Sequence, residues 1–165
     1  MIRRSILVVL VLVGLLAAAV GTAFGTSSTG VTAETARGPL VDRPLDVNMN
    51  FGNGTTKVKL STKGPMEVAV QRIVATPGAT FGWHSHPGPT IVTVSSGTLT
   101  LYHADHCTVG INYLAGQSFS NLPHEVHLAR NNGSVDLVVY ASYFVPAGSG
   151  PLRIDQPSPG SGCPQ

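Results

Sequence analysis

All six histidines of the 165-residue chain fall between positions 84 and 127: His84, His86, His103, His106, His124 and His127. Imidazole titrates near neutrality and is a common nitrogen ligand for transition metals, so the cluster points to metal binding or proton transfer. His84 and His86 stand one residue apart in "FGWHSHPGP". On an extended chain that spacing sends both rings to one face, with Ser85 on the other. Two imidazoles side by side can take neighbouring positions around a divalent ion. His127 follows on a second extended segment, and antiparallel pairing would carry it across from the pair. His103 shares the parity of Leu99 and Leu101, and is either a pocket residue or an exposed strand-end histidine. Glu125 shares the parity of His127, and is either a base at the pocket or a solvated charge. Trp83 has the opposite parity to the paired histidines and reads as packing. No acid/base pair, no nucleophile beside a base and no nucleotide-binding motif is visible, so no catalytic residue is assigned.

Strands must position these side chains. The chain has 19 glycines and 12 prolines, and only 11% of its residues are charged, which favours strands and turns over helices. "TTKVKLST" alternates, and "MEVAVQRIVA" alternates more clearly, before "TPG" predicts a turn. "ATFGWHSH", "TIVTVSS", "TLTLYH", "INYL", "QSFSN", "HEVHLARN" and "SVDLVVYASYFVP" read as further strands, and "LRID" as an edge strand. Apart from the N-terminal segment, no stretch carries a helical apolar stripe. Eight or more short strands with glycine turns predict an all-β jelly roll or barrel.

At this point the sequence resembles the cupin superfamily. "HSHPGPTIVTVSSG" is similar to the first cupin motif, a His-x-His pair followed by a carboxylate and a glycine. "GQSFSNLPHEVHLARN" is similar to the second, through Gly116, Pro123, His127 and Asn131. The resemblance covers roughly residues 66–145. More narrowly, the chain is similar to small exported single-domain cupins of actinobacteria. The resemblance implies a double-stranded β-helix barrel with a metal pocket in its mouth, and His84, His86 and His127 match the three histidine ligands. Thr90 stands where the family usually has glutamate. A neutral hydroxyl is a poorer ligand and does not offset the charge of a divalent ion. Three neutral imidazoles suit Fe, Zn, Cu or Ni, and Mn least. The functional expectation is therefore an exported cupin that holds a divalent transition metal. The alternatives are a metal-dependent, oxygen-using enzyme acting on a small molecule, and a metal-free barrel that binds a small ligand.

The chain ends fit export. "MIRR", then "ILVVLVLVGLLAAAV", then "GTAFG" reads as a signal peptide over residues 1–25, or as an uncleaved membrane anchor. Either reading places the rest outside the cytoplasm, secreted or tethered, with membrane contact only through that segment. Residues 26–45 are small and polar without periodicity, and read as a flexible spacer ahead of a domain over 46–165. In an oxidising compartment Cys107 and Cys163 are expected to form a disulfide, which ties the proline-rich tail 146–165 to the domain. The alternative is metal binding by Cys107 beside His106. The net charge of +2 comes from Arg3 and Arg4 alone, and no basic, aromatic-interleaved patch exists, so nucleic acid is excluded as a partner. Pairing into a homodimer through edge strands is left open.

Overall fold

The alternation around the paired histidines builds the longest element. The computed structural model describes residues 25–41, 45–52 and 54–165. Its strands are β1 (Thr29–Pro39), β2 (Asp46–Phe51), β3 (Thr56–Ser61), β4 (Met66–Ser85), β5 (Thr90–Ser96), β6 (Thr98–His103), β7 (Ile111–Leu114), β8 (Ser118–Asn121), β9 (His127–Arg130), β10 (Leu137–Pro146) and β11 (Ile154–Asp155). Among the described residues the only helical piece is a 3-10 turn over Ala104–His106. Nine strands make one sheet, ordered β7-β6-β9-β4-β10-β5-β8, with β1 and β11 also paired to β4. β2 and β3 form a separate hairpin. All pairings are antiparallel.

The sheet curls round a shared interior, because β4, β5, β6, β8, β9 and β10 all contribute residues to one central cavity. Period-two burial makes this wall. On β10, Leu137, Val139, Ala141, Tyr143 and Val145 are buried, and on β5 Thr90, Val92 and Val94 are. Each large apolar side chain taken out of water here stabilises the fold by roughly 1.5–3 kcal/mol.

Two sequence expectations need correction. "TPG" does not turn the chain: β4 runs unbroken for 20 residues. At 76–79 it trades partners, leaving β10 at Ala75 and meeting β9 at Thr80. Its register with β1 slips at the same place. The glycine at 78 takes a positive φ of 78° and donates its N–H to the Asn131 carbonyl. This is a bulge that bends a strand round a barrel corner. The spacer expected over 26–45 is likewise structured in part. Residues 29–39 are β1, an edge strand laid along β4 from Thr80 to Glu67. It lacks an apolar alternation because nearly all of it is exposed, and backbone hydrogen bonding holds it.

The outer face of the sheet has its own small core. Trp83, Leu128 and Cys163 are buried together, with Tyr102, Ala104, Cys107 and Val126 against them. Cys107 and Cys163 are joined by a disulfide, and the Trp83 indole donates to the Pro164 carbonyl at 2.8 Å. The tail thus shields the back of the strand that carries the histidines. The export segment expected over residues 1–25 lies outside the described residues except for Gly25. Among the described residues no helix is long and apolar enough to cross a membrane.

Candidate metal centre

The last turn of alternation in β4 turns His84 inward and Trp83 and Ser85 outward. His86 follows directly after the strand. β9 pairs with β4 so that His127 lies opposite His84. Ring centroids are 4.4 Å apart for His84–His127, 4.9 Å for His84–His86 and 5.1 Å for His86–His127. One ring nitrogen from each lies within 4.8 Å of the others. All three side chains are buried, at 5% exposure or less.

The other ring nitrogen of each is already engaged. Nδ1 of His84 meets the Gly82 carbonyl at 2.8 Å, Nδ1 of His86 the Leu152 carbonyl at 2.7 Å, and Nδ1 of His127 the Glu125 carbonyl at 2.9 Å. A carbonyl only accepts, so each Nδ1 carries the proton and each Nε2 presents a lone pair. Burial keeps the rings neutral. It holds His84 well below its usual range, with the charges of His127, Arg153 and His86 adding to the effect. It lowers His86, with Arg153 acting the same way. It takes His127 down to about 3, helped by His86. Neutral imidazole is the form that binds a metal.

The cavity in front of them is about 40 Å³. Aliphatic and phenylalanine side chains make most of its wall, and besides the histidines Asn121 and Tyr143 supply polar atoms. Asn121 Nδ2 lies 3.4 Å from His127 Nε2, while its Oδ1 is buried without a partner. Tyr143 packs edge-on to His86 and donates its hydroxyl to Gln71 Oε1 at 2.8 Å. Burial raises its phenol well above the usual value, so it stays protonated.

Thr90 is fully buried, paired from β5 to Asn121 on one side and Tyr143 on the other, and its hydroxyl has no partner among the described residues. It sits on the inward face of β5, level with two residues that line the cavity. His103 pairs with His127 in the β6–β9 ladder, but its Nδ1 meets Glu125 Oε1 at 2.9 Å. These two line an outer depression with Asp105 and His106, apart from the central cavity. His106 is exposed beside Asp105. His124 is exposed in a left-handed conformation, and its N–H donates to the His86 carbonyl, fixing the loop that leads into β9. Sequence reasoning left Tyr143 undecided between barrel and outer sheet, and missed Asn121 and Arg153. Parity on β10 could have placed Tyr143. Asn121 ends a four-residue strand, and Arg153 lies in a segment without periodicity, so neither carried a signal.

A second space of about 380 Å³ opens outside the first. It shares Ile73, Phe81, His84, His86 and Tyr143 with the inner cavity. Its outer walls come from β1 and the 151–153 segment. The path to the histidines therefore runs under β1.

The donor set fits a divalent transition metal: three unprotonated imidazole nitrogens converge, only that of His127 with a long contact to Asn121 Nδ2, and Asn121 Oδ1 on the cavity wall has no partner among the described residues. Residues 71–146 match the family described as a cupin domain. No curated protein matches the chain. Among solved structures, an oxalate oxidase is 23% identical over 51% of this chain and 50% of its own, with a TM-score of 0.42. A cupin domain from Bordetella pertussis Tohama I is 19% identical over 63% of this chain and 97% of its own, with a TM-score of 0.42. A cupin-like protein from Thermotoga maritima MSB8 is 21% identical over 60% of this chain and 81% of its own, with a TM-score of 0.46. The chain spans half the length of the oxalate oxidase. Likeness at this level carries nothing about chemistry.

Proposed function

We propose that the chain, whose residues 71–146 match the cupin-domain family, is an exported cupin holding one divalent transition-metal ion on His84, His86 and His127. The observation that carries this is the set of three Nδ1–H bonds to backbone carbonyls, which turns three unprotonated Nε2 atoms towards one another, that of His127 with only a long 3.4 Å contact to Asn121 Nδ2. Such a set is costly to bury without a common partner. The cavity size supports an ion over an organic ligand, since about 40 Å³ takes an ion with a water or two. A bound ion would supply Lewis-acid chemistry, and iron or copper would add redox chemistry with oxygen. The chain's own residues exclude bulk water, fix the ring orientations through three backbone carbonyls, and pack the protonated Tyr143 ring edge-on to His86 with its hydroxyl donated to Gln71. The disulfide supports an oxidising compartment, in keeping with export.

Elemental analysis of the full chain, purified without added metal or a histidine tag, tests this. About one equivalent of a transition metal is expected, falling sharply in His84→Ala and His127→Ala. Unchanged metal content in both variants would overturn the ligand assignment.

A further inference from the structure

The outer space has a composition that the metal reading does not explain. Arg37 and Arg153 line it, and among the described residues no Asp or Glu does. The two arginines are not equivalent. Arg37 is consumed: Nε and Nη2 bind Glu67, Nη1 donates to the Gly150 carbonyl at 2.6 Å, and Nη2 also reaches Ser149. It fastens β1 to the 149–150 turn. Arg153 is held from one side only. Its Nε donates to Asp155 Oδ1 at 2.5 Å and its Nη2 to the Thr26 carbonyl at 2.9 Å. Nη1 has no partner among the described residues, and the side chain is 28% exposed. Its partner Asp155 is half-exposed and stands outside the lining, so solvent screens its charge. Opposite, Gln71 is aligned by Tyr143 and donates to Thr35 Oγ1 at 2.9 Å. Between these polar ends lies an apolar floor of Val31, Ala33, Ile73, Phe81 and Leu152.

The inner end carries the same sign. Three neutral imidazoles leave a divalent ion with its full charge, because Thr90 supplies no carboxylate. We propose that the space between β1 and residues 151–153 is a binding site for a small carboxylate with an apolar body, gripped by the free edge of the Arg153 guanidinium and directed towards the three histidines. A planar carboxylate matches a guanidinium fork. A space of about 380 Å³ suits a small organic molecule. The outer contact stands on Arg153 alone, and the attraction at the inner end rests on the proposed metal.

Benzoate, titrated calorimetrically into the full chain both metal-free and zinc-loaded, tests the site, with benzamide as its uncharged counterpart. Benzoate is expected to bind in the millimolar range or tighter, more tightly with zinc, while benzamide does not bind. Arg153→Gln should weaken benzoate by about tenfold or more and leave the zinc stoichiometry unchanged. Since Arg153 also ties Thr26 in place, Gln71→Glu provides a second variant. It is nearly isosteric, keeps an acceptor for Tyr143, puts a negative charge in the lining, and should also weaken benzoate binding. Arg72→Gln, on the exposed side of β4, should change nothing. The proposal is overturned if zinc loads at one equivalent but benzoate does not bind, binds no better than benzamide, or ignores both lining variants. Failure of zinc to load would count against the metal reading alone. Benzoate binding to the metal-free protein would then decide the carboxylate site by its dependence on Arg153.

Discussion

Thr90 occupies the centre of the residue-scale question. Its hydroxyl is buried without a partner between Asn121 and Tyr143, on the inward face of β5. A carboxylate there would gain an ion to pair with and would lose water in the ion's absence. Thr90→Glu is therefore expected to raise zinc affinity by about tenfold or more. It should also lower the stability of the metal-free protein by about 2 kcal/mol or more. Calorimetric titration and chemical denaturation, each with and without zinc, check the two halves. No gain in affinity would mean that position 90 does not reach the ion. The histidines and Thr90 were legible because their motif sits on strands with strong parity. The partnership of His103 with Glu125 was not legible, because parity along a strand does not say which side chains meet where the strand ends. His103 is the last residue of β6 and Glu125 precedes β9, and the two meet each other in an outer depression instead of lining the cavity.

At the scale of elements, β1 is the part that the sequence concealed. "TGVTAETARGP" has few apolar residues because an edge strand can be held by its backbone alone, and only Val31 packs against the barrel core. The elements with one buried face, such as β5 and β10, were visible because burial imposes a period of two. What locks the start of β1 is Gly82. It takes a positive φ of 66°, and a Cβ there would lie 2.5 Å from the Thr26 carbonyl oxygen and 2.8 Å from that of Ser27. Gly82→Ala must strain β4 or push away the segment that leads into β1. The expected cost is about 2 kcal/mol or more, read as a lower denaturation midpoint together with faster proteolysis near residues 26–28. Cleavage at the wild-type rate would show that the close approach does not hold this segment.

For the whole molecule, three neutral histidines buried in one place make stability depend on pH. In the unfolded chain they titrate near the usual value of 6.5, whereas in the folded barrel His127 does so at about 3, and His84 and His86 are also lowered. Between these values the unfolded state binds more protons. The metal-free protein should therefore keep its full histidine contribution above about pH 6.5 and lose stability steadily as pH falls towards 3. Thermal melts across that range check this, and a flat profile would contradict neutral burial. Because the folded histidines are already unprotonated near neutrality, zinc binding there should release no protons from them. Calorimetry in buffers of different ionisation heat reads that number directly.

The covering of Trp83 by the tail has an optical consequence. Trp83 is the only tryptophan in the chain, and it sits between His84 on one side of it in sequence and the Cys163–Pro164 segment in space. Its emission therefore senses two events without any label. Reducing the disulfide frees the tail, wets the indole and should move the emission to longer wavelength. Loading copper on the far side of the same strand should dim the emission while leaving its colour unchanged. One fluorescence spectrum thus separates the redox state of the staple from the occupancy of the barrel.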